Sequence, residues 1–149
     1  MTEAFRGQVL ATLQNDWATY AERFHHLSPE AQATFLARQG YARLADLLAH
    51  ITAWWTEGSR AIEDLLIDPD AVKHLKDYDV DAFNAQAVSS VRELEETAVI
   101  ESFEAMRQRM VRLVMSLPEA AFQQKRLADR LRIEVIGHYA EHALAESRE

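Results

Sequence analysis

Apolar residues recurring three and four positions apart, sustained through nearly the whole chain, constrain the fold more than any other feature. Phe5, Val9, Leu10, Leu13, Trp17, Ala21 and Phe24 form one such stripe and predict a first helix that ends near Ser28 and Pro29. A looser segment with room for a short helix follows, up to Gly40. Leu44, Leu47, Leu48, Ile51, Trp55, Ile62, Leu65 and Leu66 predict a second long helix, stopped by Asp68-Pro69-Asp70. A third begins between Glu95 and Thr97 and runs through Phe103, Met106, Met110, Leu113 and Val114 to Leu117-Pro118. The fourth, from about Arg126 to Glu146, carries Leu127, Leu131 and Val135 on one face. Four amphipathic helices must bury their stripes against one another, so the expected class is all-α, a four-helix bundle.

The connection between the second and third helices is too long for a tight antiparallel turn and is expected to cross the bundle. Its Asp79 to Gln86 stretch reads as a short extra helix with Asp79 or Asp81 as N-cap. No repeat, low-complexity tract or linker interrupts the pattern, so residues 1–149 are expected to form a single domain.

Charge and composition exclude several functions. Sixteen Lys and Arg stand against 24 Asp and Glu, and the net charge of −8 opposes association with nucleic acid or an anionic membrane. The chain has no cysteine, which removes disulfides, zinc-thiolate sites and a protein thiol nucleophile. Four glycines, at 7, 40, 58 and 137, cannot build a phosphate-cradling loop, and no G-x-S-x-G elbow is present. No apolar run approaches membrane-spanning length and the first residues lack a basic segment followed by an apolar core, so the cytoplasm is the expected location.

The histidines carry most of the functional signal. His138 and His142 are four apart on the fourth helix. With Leu127 at zero on a helical wheel, they fall near about 20° and about 60°, where the leucines point. His50 sits on the groove-facing flank of the second helix, beside Leu47 and Trp54. An i, i+4 pair of imidazoles on one face suits chelation of a cation, and a third from a facing helix would make a His₃ site with an open coordination position. The alternative, which spacing alone leaves open, is core histidines satisfied by hydrogen bonds. Glu134, one turn before His138, is a candidate hydrogen-bond acceptor, fourth ligand or proton acceptor. Glu141 is the other candidate proton acceptor but, at the edge of the face, reads more simply as a solvated charge. Tyr139 and Trp54 are candidate pocket residues or packing residues. His25 and His26 suit the negative end of the first helix, His74 reads as surface, and Glu93, Glu95 and Glu96 suit the positive end of the third. Gly137 beside His138 permits a close backbone approach at the site or a helix crossing.

The stretch Leu44-Ala45-Asp46-Leu47-Leu48-Ala49-His50-Ile51-Thr52-Ala53-Trp54-Trp55 resembles the second-helix signature of the DinB/YfiT-like superfamily, and His138-Tyr139-Ala140-Glu141-His142 resembles its last-helix signature. Asp79-Val80-Asp81-Ala82-Phe83-Asn84-Ala85-Gln86 is similar to the crossover of the ClbS/DfsB-like branch. The resemblance implies an up-down-down-up bundle, a homodimer, and a divalent metal, nickel or zinc, held by His50, His138 and His142. It also makes Asn84 a candidate pocket residue, against a local hydrogen bond to the crossover backbone. The chain departs from the pattern at Gly40-Tyr41-Ala42, where relatives show a Gly-Trp-Ser-like entry, and at Leu127-Ala128-Asp129-Arg130, where they carry aromatics.

Three functional classes follow. One is a metal-dependent hydrolase or thiol transferase acting on a small electrophile, with a low-molecular-weight thiol as cosubstrate. Another is a ClbS-like protein that inactivates or sequesters a reactive molecule without metal. The third is a non-catalytic, dimeric helical module.

Overall fold

The computed structural model describes residues 2–144, and among them every regular element is helical. The first run starts as α1, Thr2–Ala11, widens into π geometry over Thr12–Asp16 and resumes as α2, Tyr20–His25. The single helix expected there is thus a helical run with a π break, in which the Trp17 amide reaches back five residues to the Thr12 carbonyl at 2.9 Å. The segment read as loose is a full helix, α3, Pro29–Gln39. Its ends are locally determined: Ser28 Oγ accepts from the Ala31 amide at 3.1 Å, Pro29 occupies the first turn, and Gly40 closes the helix in the left-handed region at φ 85°.

The second long helix is α4, Leu44–Ile67, and Asp68 ends it in extended conformation. Two short 3₁₀ turns, Pro69–Ala71 and Leu75–Asp77, lead into α5, Val80–Ser90. Of the two candidate N-caps, Asp79 is the one used, accepting from the Ala82 amide at 3.1 Å. The third long helix, α6, spans Glu96–Ser116. Glu96 at its positive end pairs with His25 at the negative end of α2, at 2.9 Å.

The fourth run is α7, Lys125–Leu131, a π segment over Arg132–Gly137, and α8, His138–His142. It leaves helical geometry at Ala143, short of the expected end at Glu146, which lies outside the described residues. The carbonyl of His142, free at this terminus, accepts from the Tyr20 hydroxyl at 2.6 Å.

α4 is the central element: it packs against α5, α6 and the fourth run, while the first run packs against α6 and the fourth. Apolar side chains from Val9 to Leu144 join one core. At its centre Trp55 lies edge-on to Trp17, ring centroids 5.2 Å apart, and stacks on Phe103 at 5.4 Å.

The two buried indoles also explain how the core accommodates the second π segment. The His138 amide bonds to the carbonyls of Ile133 and Val135 and passes over that of Glu134. The Trp55 indole donates to the Glu134 carbonyl at 2.7 Å, and the Trp17 indole to the Val135 carbonyl at 3.1 Å. The Glu134 carbonyl that the His138 amide passes over thus gains a donor from α4, and the Val135 carbonyl gains a second one from the first run. No helix among the described residues is long and apolar enough to cross a membrane.

Candidate metal centre

His50 projects from the middle of α4, and His138 and His142 from successive turns of α8. His50 and His142 are buried, and the His138 side chain is 11% exposed. Ring centroids are 5.4 Å apart for His50 and His138, 5.1 Å for His50 and His142, and 5.6 Å for His138 and His142. Their candidate ligand atoms all lie within 4.8 Å of one another. The i, i+4 pair and the distant histidine therefore converge, which spacing in the sequence left open.

Each ring is held through Nδ1. His138 Nδ1 lies 3.0 Å from the Glu134 carbonyl, which can only accept, so Nδ1 carries the proton and donates. For His50 the argument passes through Trp54. The Trp54 indole N–H donates to Asn84 Oδ1 at 2.7 Å, which fixes the amide with its oxygen inward, and His50 Nδ1 donates to the same oxygen at 3.0 Å. His142 Nδ1 lies 2.5 Å from Gln39 Oε1, an acceptor at the last residue of α3. With Nδ1 engaged, Nε2 is the nitrogen each ring has left to offer, and an acceptor behind the ring both orients that lone pair and increases its basicity.

The rings are neutral around pH 7. Burial lowers the pKa of His50 below the ordinary histidine value, against the opposing effect of the Asn84 hydrogen bond. Burial, then the neighbouring His50, bring His138 down to about 4. The same causes, with His138 added, bring His142 down to about 3. Neutral imidazole is the form that ligates a metal.

A metal fits this donor set. His142 Nε2 is buried and has no hydrogen-bond partner, so its lone pair is left without a donor beside two other imidazoles. Bonds of 2.0–2.1 Å at tetrahedral angles would set ligand nitrogens about 3.3 Å apart. A 4.8 Å spread closes to that value by modest rotation of the rings.

The other candidates separate by side. Glu134 is 1% exposed; its Oε2 accepts from Arg130 Nε at 2.8 Å, and its Oε1 lies 3.5 Å from His138 Nδ1. The carboxylate thus backs the ring on the Nδ1 side. Burial pushes it up to about 7, opposed by Arg130. Glu141, by contrast, is exposed and places Oε1 4.0 Å from His142 Nε2, on the side of the converging lone pairs. Trp54 is buried, binds Asn84 and lies against Phe83, ring centroids 4.1 Å apart. Asn84 makes no local backbone bond of the kind weighed for it; it bridges α5 to α4. Tyr139 turns toward the first run, accepting from Arg23 at 2.8 Å and lying 5.1 Å from Trp17, so it packs there and is not brought to the histidines. His74 is exposed.

Several contributors carried little sequence signal. Gln39 stood at the end of a segment read as loose. Tyr41, whose ring centroid is 5.5 Å from that of His50, stood in a motif noted only as a departure. Gly58 on α4 allows the close approach of Glu134: a Cβ there would lie 3.0 Å from Glu134 Cγ. A buried helix glycine four residues past Trp54 was the one available hint.

No family model, curated protein or solved structure matches the chain.

Proposed function

We propose that the chain is a divalent-metal enzyme of the DinB/YfiT-like kind, nearest the ClbS/DfsB-like branch, acting on a small electrophilic molecule by hydrolysis or thiol transfer. In this reading the helical runs form an up-down-down-up four-helix bundle, the protein works as a cytoplasmic homodimer, and the ion is nickel or zinc. The observation that carries it is the triad of neutral, buried imidazoles whose candidate ligand atoms lie within 4.8 Å of one another, each ring with Nδ1 tied to an oxygen and Nε2 left to ligate.

A divalent ion held by three such nitrogens keeps a coordination position open and supplies Lewis acidity there. The protein's own contribution is orientation. Asn84, the Glu134 carbonyl and Gln39 hold the three rings, and each is anchored on a different helical run. Glu134 serves as a positioning residue: it stands behind His138 and is committed to Arg130. The exposed Glu141 carboxylate stands on the open side, 4.0 Å from His142 Nε2, where it can take a proton from an incoming water or thiol. Tyr41 flanks His50 and supplies a wall beside the site.

The test is elemental mass spectrometry on tag-free protein, beside a variant with His138→Ala and His142→Ala. The expected result is about one equivalent of nickel or zinc, lost in the variant while the far-ultraviolet helical signal persists. Metal-free protein after reconstitution, or a variant that retains its metal, refutes the site.

A further inference from the structure

Although the chain is acidic overall, four permanent cations gather around one cleft between α7 and the 3₁₀ connection that follows α4. Lys73, Lys76, Arg126 and Arg130 line this space of about 260 Å³. Its walls are apolar, formed by Leu65, Val72 and Ile133. The one carboxylate lining it, Asp129, is already engaged by Lys125 at 2.5 Å and Arg132 at 2.8 Å.

The cations themselves are short of counter-charge. Among the described residues Lys73, Lys76 and Arg126 make no ion pair. The Lys73 ammonium lies 4.6 Å from the centroid of the Tyr78 ring. Arg126 donates to the carbonyls of Pro69 and Val72, which pins the connection and leaves guanidinium donors over, since only two of five are used. Arg130 is the most telling. Its side chain is 5% exposed, Nε is spent on Glu134, and Nη2 is buried with no hydrogen-bond partner. A charged donor left unsatisfied out of water is costly, and a guanidinium fork matches the two oxygens of a carboxylate.

We propose that this cleft binds a small amphipathic carboxylate, its oxyanion against Arg126 and Arg130 and its short aliphatic tail against Leu65, Val72 and Ile133. The mixture of cations and apolar walls favours such an anion over a bare oxyanion, for which the walls would offer nothing. None of the three clustered histidines lines the cleft, although Arg130 also pairs with Glu134 behind His138, and the inference does not rest on a bound metal.

Titration of the full chain with hexanoate, acetate, hexanamide and inorganic phosphate at constant ionic strength tests it, followed by calorimetry and by the side-chain Nε–H resonances of Arg126 and Arg130. Hexanoate is expected to saturate and to shift both arginine signals, with acetate and hexanamide at least fivefold weaker. The double variant Lys73→Gln, Lys76→Gln, both exposed, is expected to weaken hexanoate at least threefold while the free protein keeps its cooperative thermal unfolding, with at most the small drop in melting temperature that loss of the Lys73 contact with Tyr78 brings. Arg126→Gln is expected to weaken it further. Hexanamide equal to hexanoate, phosphate equal or tighter, or hexanoate binding unmoved in these variants would overturn the proposal.

Discussion

Replacing Asn84 by alanine is the most informative single change, because the amide hydrogen-bonds His50 to the crossover helix without being one of the three candidate ligands. Asn84 Oδ1 accepts two N–H groups, His50 Nδ1 at 3.0 Å and Trp54 Nε1 at 2.7 Å. The variant frees His50 to rotate about χ2 and to place its proton on either nitrogen, and the tautomer protonated at Nε2 cannot ligate through that nitrogen. Loss of such a supporting acceptor costs about 10–100-fold in metal affinity, or about 1.4–2.7 kcal/mol. Trp54 is 6% exposed, so its orphaned indole adds about 1–3 kcal/mol of destabilisation to the fold. Asn84→Asp keeps an acceptor for both donors and should hold metal at least as tightly as the parent protein. Competition against a chelator of known affinity reads the first effect and urea unfolding of metal-free protein the second. Metal affinity in Asn84→Ala equal to that of the parent would refute the inference that Nδ1 anchoring sets up the triad.

Three further outcomes follow from the geometry. Arg130→Met leaves the buried Glu134 carboxylate without its cation, which costs about 3–5 kcal/mol when the carboxylate is ionised. Burial already raises the folded-state pKa of Glu134, so the stability linked to its protonated form is present below the unfolded value and is lost as pH rises through the folded one; removing Arg130, which opposes that rise, deepens the loss where the carboxylate must ionise, and denaturation at pH 5 and pH 8 should show the larger effect of the substitution at pH 8. Gly58→Ala brings a methyl against a carboxylate that Arg130 will not release, costing about 1–3 kcal/mol against about 1 kcal/mol of helix propensity gained, whereas Gly7→Ala in α1, with nothing within 4 Å of its Cβ, should stabilise; equal thermal shifts for the two would be inconsistent with this packing. In metal-free protein the histidine values lie below those of the unfolded chain, so the unfolded state binds more protons and stability should fall as pH drops from about 6.5 toward 4, a trend reversed or absent in a denaturant series if the rings are not buried neutral.

What the chain's order of residues determined by itself is local. The positions of the long helices, the Asp79 cap and the i, i+4 stacking of His138 on His142 depend on groups within a turn or two of each other, so periodicity and capping rules reach them; α3, with its Ser28 cap and Gly40 stop, is as local but carries too weak an apolar stripe to be read as a full helix. The all-helical class follows, since stripes of this spacing can be buried only against one another. The π segments escaped because a 3.6-residue wheel assumes the regular ladder. Here the ladder yields to indole donors from Trp17 and Trp55, 118 and 79 residues away from their acceptors. The site divides the same way. Two ligands on one helix were legible, but their meeting with His50 and the acceptors behind each ring belong to packing between helices. Gln39 meets His142 across 103 residues, and Asn84 meets His50 across 34. Those partners are selected by which surfaces the core brings together, and the core is a sum over many weak, non-directional contacts that no local pattern encodes.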